Sequence, residues 1–201
     1  MLYLQHMFVS LQKYNSHEKI KRIASYFSDN KETVLDFGCG DLSFAKALKK
    51  EMPQLKISGV DVVDFHNRDK AVTFFHYDGK KLPFKDNSFD TVISFHVLHH
   101  TDDAKKYFQE LVRVSKKRIL LVESVARTSL DFPGMRFMDW IFNIWKPEQV
   151  PLTYQFLAKK EWEKLFKKYT LTVRSAADAE IAPIPKFFPT GRSMLFELVK
   201  K

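Results

Sequence analysis

The first residues able to do chemistry stand together in Asp36-Phe37-Gly38-Cys39-Gly40-Asp41-Leu42-Ser43. Two glycines let a backbone turn sharply and approach a ligand closely. A helix that starts just after them offers free N–H groups. Asp36 sets a carboxylate two residues ahead of the first glycine, which suits a cationic group such as an ammonium and opposes a pyrophosphate. About twenty residues further on, Gly59-Val60-Asp61-Val62-Val63 places a second carboxylate where it can accept from both hydroxyls of a ribose. Asp78, in Tyr77-Asp78-Gly79, can accept from an adenine amino group. Next come Asp86-Asn87-Ser88, a turn by composition, and Phe95-His96-Val97-Leu98-His99-His100. Histidine suits acid–base work, yet adjacent side chains on a helix point apart, so no metal site is read here. Two roles stay open for His99 and His100: a structural or capping one, and catalysis or acceptor contact. Glu123 ends a later apolar run and is a candidate base. The lone Cys39 reads as a packing residue, because nothing beside it in sequence offers a base to make it a nucleophile.

These residues need a frame that brings them to one rim. Short apolar runs at 33–37, 56–60, 72–76, 89–94 and 118–122 read as buried strands. Between them, Phe44, Ala47 and Leu48, and then Ala104, Tyr107, Phe108 and Leu111, recur at helical spacing. Trp162, Leu165, Phe166 and Tyr169 mark a later helix, followed by strands at 171–174 and 194–199. An earlier helix carries Ile20, Ile23, Ala24 and Phe27, with Ser16 as its N-cap. Strand–helix alternation predicts an α/β, doubly wound, mostly parallel sheet covered on both faces. Ligands then lie beyond the carboxyl ends of the strands, at the switch point.

Composition fits this frame. The 201 residues are 45% hydrophobic, enough for one globular domain with a sizeable core, and exclude a disordered or fibrous chain. A single cysteine forbids an intramolecular disulfide and favours a reducing, cytoplasmic setting. The apolar residues 1–9 lack a basic leader and a small-residue cleavage site, so they do not read as a signal peptide. No run has the length of a spanning helix. The net charge of +9 is spread over short lysine pairs, which reads as solvated faces, with attraction to nucleic acid or acidic lipid as the other option.

The run from Val34 to Glu123 resembles the Rossmann-like, class I S-adenosylmethionine-dependent methyltransferases, most of all the small-molecule branch with the ubiquinone and menaquinone enzymes. It carries a D-x-G-C-G turn, an acidic residue ending strand two, D-x-x-x-L-P-F from Asp78, N-S-F-D from Asn87 and V-L-H-H from Val97. The resemblance implies a seven-stranded sheet with the last strand antiparallel, and S-adenosylmethionine as cofactor with S-adenosylhomocysteine as product. It implies that Asp36, Gly38, Cys39 and Gly40 hold the methionine part, Asp61 the ribose, Val62, Asp78 and Gly79 the adenine, and that Phe95 and His96 line the site near the sulfonium. Where the family has a third glycine this chain has Leu42, and its side chain is expected to crowd the cofactor or shift the turn.

The implied layout is a single domain: a helical segment at 1–31, the cofactor core at 32–125, an insertion at 126–158 and a closing helix and strands at 159–201. The insertion is unusually aromatic, with Phe132, Phe137, Trp140, Phe142 and Trp145 among its residues. A helix from Phe137 to Trp145 is expected over the cleft, with aromatics toward an apolar acceptor. The reading is a methyltransferase for a small, partly apolar molecule, as a monomer or homodimer. An RNA or protein methyltransferase, and a cofactor-binding protein without transfer activity, are the alternatives. A nicotinamide dehydrogenase is disfavoured, because Ser43 stands where G-x-G-x-x-G ends.

Overall fold

A computed structural model describes residues 18, 20–28, 31–64, 69–143, 153–179 and 191–201, the side chain of Phe142 excepted. Ser16, Trp145 and residues 1–9 lie outside these. Five parallel strands come first along the chain: β1 (Thr33–Phe37), β2 (Lys56–Asp61), β3 (Thr73–His76), β4 (Phe89–Phe95) and β5 (Ser115–Ala126). A two-residue β6 (Leu157–Ala158) pairs with the far end of β5. Two long strands complete the sheet, β7 (Leu171–Asp178) and β8 (Arg192–Lys200). The order is β3-β2-β1-β4-β5-β8-β7, with β8 antiparallel to both neighbours. The expected seven strands are present and the last is antiparallel. The eighth, β6, is too short to leave a periodic signal.

The chain runs outward from β1 to β2 and β3 on one side and resumes at β4 on the other, so the switch point lies between the carboxyl ends of β1 and β4. Side chains alternate across the sheet. Leu35, Phe37, Val92, Ile119 and Leu121 join one apolar core; Val34, Ile93, Leu120 and Val122 join the other. Both sets are apolar because helices cover both faces. Helices α2 (Ala104–Val114) and α4 (Lys159–Lys168) bring Tyr107, Phe108, Leu111, Trp162, Leu165 and Phe166 to the first core. Helix α1 (Ser43–Glu51) brings Ala45 and Leu48 to the second, where the helical turns at 20–24 set Ile23 and Phe27. Asp103 caps α2 by accepting from Lys105 N and Lys106 N, which satisfies orphan N–H groups.

Arg118 ties the early segment to the sheet. Its guanidinium donates to the Thr91 hydroxyl at 3.0 Å, the Tyr26 carbonyl at 2.7 Å and Glu32 Oε2 at 3.0 Å. It also lies over the Phe27 ring. A helix does form where the aromatic spacing suggested one, α3 (Asp131–Asn143), begun six residues before Phe137. Asp131 starts it, accepting from Arg127 N at 2.7 Å and Thr128 N at 3.0 Å. Among the described residues no helix is long and apolar enough to cross a membrane.

Candidate active site

The glycine turn leaves β1 with Gly38 at φ +70° and Gly40 at φ +51°. A side chain on Gly38 would collide with Val97 at 2.5 Å, so that glycine exists to let the loop after β4 approach. Gly40 is different. A Cβ there would meet nothing within 4 Å, so the backbone faces open space of the kind a ligand fills. Asp61 fastens the turn: its Oδ2 accepts from Gly40 N at 2.8 Å, and its Oδ1 from Val63 N at 3.0 Å. Asp36 lies buried, 3% exposed, with Oδ2 unpartnered. Burial, and then the Asp61 charge, push its carboxyl up to about 8. An orphaned buried carboxylate oxygen is costly and calls for a cationic partner.

Leu42 corrects the expectation drawn from its position. It takes the left-handed conformation, φ 65° and ψ 7°, that a glycine would adopt freely. Its side chain turns into the second core and is fully buried, rather than into the cofactor cradle. The room comes from Gly59 on β2, where an added Cβ would lie 2.6 Å from Leu42 Cδ2 and 2.7 Å from Cys39 Sγ. Leu42 and Gly59 are thus complementary. Leu42→Gly is expected to relieve about 1–2 kcal/mol of left-handed strain but to lose about 2–5 kcal/mol of buried packing. Chemical denaturation should show a net loss of stability, with cofactor affinity little changed in the folded protein; a gain in stability would make the strain the larger effect. The Cys39 thiol is pushed up by burial and by the Asp36 and Asp61 charges, so it stays protonated and packs.

Val62 and Gly79, two of the residues the resemblance assigns to adenine, lie side by side. Gly79, at φ +75°, faces Val62, with 3.4 Å between a built Cβ and Val62 Cγ1. The Tyr107 hydroxyl donates to the Gly79 carbonyl. Val62 is 44% exposed, an apolar surface open to a planar ligand. Asp78 stands at the rim, its Oδ1 accepting from Lys80 N at 3.0 Å.

Beyond β4 the aromatic and histidine residues form a second group. Phe95 packs between Phe44 and His96, at ring distances of 5.5 and 5.2 Å. His96 has φ 55° and pairs its Nε2 with the Ser193 hydroxyl at 3.0 Å. Residues 98–100 form one 3-10 turn. Glu123, 1% exposed, reaches it from β5. Its Oε1 accepts from Val97 N at 3.0 Å and Leu98 N at 2.8 Å, and its Oε2 meets His99 Nδ1 at 2.6 Å. Glu123 therefore acts on the turn as a positioning group. Phe156 stacks on the His99 ring at 4.8 Å.

The histidines do not diverge as adjacent residues were expected to. Asp139 from α3 enters between them, with Oδ1 3.6 Å from both His99 Nε2 and His100 Nε2. Burial pulls the His99 imidazole down, but Glu123 and Asp139 outweigh it and hold it up at about 9. The sequence reading missed Asp139 and Ser193. Asp139 had a signal, being the one carboxylate within the mostly apolar run 132–143; Ser193 had none. Helix α3 thus sits against the loop after β4, on the ligand side of the sheet. Its Asp139 and buried Met135 face in, while Phe137 and Trp140 stack at 6.2 Å and are 57% and 44% exposed.

Comparison with known proteins agrees with this geometry. A methyltransferase domain family matches residues 35–122. A demethylmenaquinone methyltransferase of Thermotoga maritima is 29% identical over 183 residues, 85% of this chain and 80% of that protein. A ubiquinone biosynthesis O-methyltransferase of Rickettsia bellii is 22% identical over 77% of this chain and 68% of its own. Among solved structures, magnesium protoporphyrin IX methyltransferase from Synechocystis, with bound S-adenosylhomocysteine, superposes with TM-score 0.62 at 15% identity, over 94% of this chain and 84% of that one. A methyltransferase from Aquifex aeolicus gives 0.60 at 15% identity, over 95% and 97%. The chain thus has the fold of these methyltransferases, and its residues 35–122 are similar to the methyltransferase domain family.

Proposed function

We propose that the chain transfers the methyl group of S-adenosylmethionine to a small, partly apolar acceptor. The observation that carries this reading is the orphaned, buried Asp36 oxygen four residues before the open backbone at Gly40. These features fit the cationic amino-acid end of that cofactor. Asp61, already at the rim of the turn, has lone pairs left for ribose hydroxyls. Val62 and Gly79 offer a flat wall for adenine, with Asp78 at its edge. Phe95 and His96 flank the place between β1 and β4 where the methyl donor must point.

When bound, S-adenosylmethionine supplies an activated methyl group on its sulfonium. The chain then has three tasks: to hold an acceptor in line, to keep water out and to take up a proton where the acceptor is a hydroxyl. The turn at 98–100 and the aromatic helix α3 border the acceptor side. His100, less buried than His99, is the candidate to meet the acceptor. Glu123 and His99 hold the turn in place. Phe137 and Trp140 provide apolar area at the mouth, each large side chain contributing about 1.5–3 kcal/mol when covered. Relatives that act in menaquinone and ubiquinone synthesis support a hydroxylated ring as acceptor class.

The test is methyl transfer from labelled S-adenosylmethionine to a panel of catechols, hydroquinones and aliphatic alcohols. Transfer to a ring hydroxyl or ring carbon is the expected result; cofactor binding with no transfer to any member would sink the acceptor class. Trp140→Ala, at an exposed position, should leave stability and cofactor affinity nearly intact while raising the acceptor Michaelis constant several-fold. An unchanged constant would remove Trp140 from the acceptor path.

A further inference from the structure

We infer that His99, His100 and Asp139 form a binding site for a divalent transition-metal ion of the zinc class. Both imidazole Nε2 atoms stand 3.6 Å from Asp139 Oδ1. That is long for a hydrogen bond, but near the roughly 3.4 Å between two ligand atoms on one tetrahedral ion with bonds of about 2.0–2.1 Å. All three donor atoms lie within 4.8 Å of one another. The Asp139 side chain is 10% exposed, and its second oxygen, Oδ2, is buried with no partner. Asn143 Nδ2 donates to Oδ1 at 2.9 Å and fixes the carboxylate. The orphan oxygen is an independent sign that this cluster suits a cation, since an unpaired buried carboxylate oxygen is otherwise a pure cost.

The surroundings match what metal-bound histidines need. A ligating imidazole commonly donates its other ring N–H to a carboxylate, which fixes its orientation and raises its basicity. Glu123 does this for His99, at 2.6 Å on Nδ1, leaving Nε2 directed at Asp139. Charge also balances: a divalent ion offsets Glu123 and Asp139 with both imidazoles neutral. A neighbouring combination, His96 with His99 and Glu123, serves less well. His96 Nε2 is already on Ser193, and both Glu123 oxygens are taken. Two nitrogens and one carboxylate suit zinc, iron, nickel or copper better than magnesium or calcium. Three protein ligands leave a position for an oxygen from outside. In a hydroxylated acceptor that oxygen is the atom to be methylated, a use that rests on the methyl-transfer reading above; metal binding itself does not.

The experiment takes the full chain, stripped with chelator and dialysed, and titrates it with Co²⁺ by visible absorption and with Zn²⁺ by calorimetry. The expected result is one ion per chain with a visible band of a nitrogen- and oxygen-ligated cobalt. Asp139→Asn and His100→Gln should each weaken binding by at least about 10–100-fold, while S-adenosylmethionine affinity stays within about twofold of the wild type. Circular dichroism establishes that each variant is folded, and where one is not, the other decides. Absence of stoichiometric binding, or binding undiminished in a folded variant, overturns the site and points to an imidazolium held between two carboxylates. Failure of the wild type to bind S-adenosylmethionine, with the metal still bound, would strike the methyl-transfer reading alone.

Discussion

Asp36→Asn should abolish most of the proton release that accompanies S-adenosylmethionine binding, and weaken that binding by about 10–100-fold. In the ligand-free chain, burial and then the Asp61 charge raise the Asp36 carboxyl to about 8. At pH 7 it therefore holds its proton. A ligand ammonium brought against it favours the carboxylate, so binding expels close to one proton. Calorimetry at pH 7 in buffers of different ionisation enthalpy reads this directly. Asparagine has no proton to lose and no charge to offer, and losing a charged hydrogen bond costs about 1.5–3 kcal/mol. Equal proton release and equal affinity in the two proteins would take Asp36 out of the cofactor site.

The same group shapes stability. Its folded value lies above the unfolded 3.8, so between about pH 4 and 8 the folded chain binds more protons than the unfolded one. Stability from this group is then fully present below pH 4, declines as pH rises to about 8 and is level beyond. The asparagine variant should lack that decline. A denaturation series across the window distinguishes them.

Glu123→Ala should destabilise the fold by about 3–5 kcal/mol, the cost of breaking a buried charged pair from one side. Two backbone N–H groups, of Val97 and Leu98, lose their acceptor, and His99 loses the carboxylate on Nδ1. Glu123 and His99 are shut off from water, at 1% and 4% exposed. Chemical denaturation gives the loss. Glu123→Gln should cost less, because an amide oxygen can still accept from the two N–H groups. An alanine variant within about 1 kcal/mol of the wild type would mean that water or a shifted carboxylate replaces Glu123.

The placement of the carboxylates and glycines around the β1 turn was legible in the sequence, because it is local. Asp36, Gly38 and Gly40 lie within five residues, Asp61 ends β2 and Asp78 follows β3 by two residues, so a parallel sheet brings them to one rim without further information. The histidine cluster after β4 depended on contacts that no spacing encodes. Asp139 meets the histidines from a helix forty residues away, and Ser193 reaches His96 from the last strand. Leu42 failed for a related reason. Its position in the motif was correct, but the direction of its side chain depends on Gly59, an unremarked gap on the next strand. Glu123 sat where a base was expected, yet three bonds make it a scaffold for the turn. The aromatic spacing found α3 but not its beginning, which Asp131 sets by accepting from N–H groups before the apolar stripe starts.

The placement of β8 has a bearing on biosynthesis. This strand lies between β5 and β7 and pairs antiparallel with both, so one flank of β5 stays bare on the ribosome until residues 192–200 emerge. A nascent chain holding β1 to β5 already has a parallel sheet with an apolar open edge, a template for unwanted pairing with other chains. Premature termination anywhere before 192 leaves that edge permanently uncovered. Truncated products should therefore aggregate rather than persist as smaller folded proteins, and a reporter fused after a cut at 190 should follow them into the insoluble fraction.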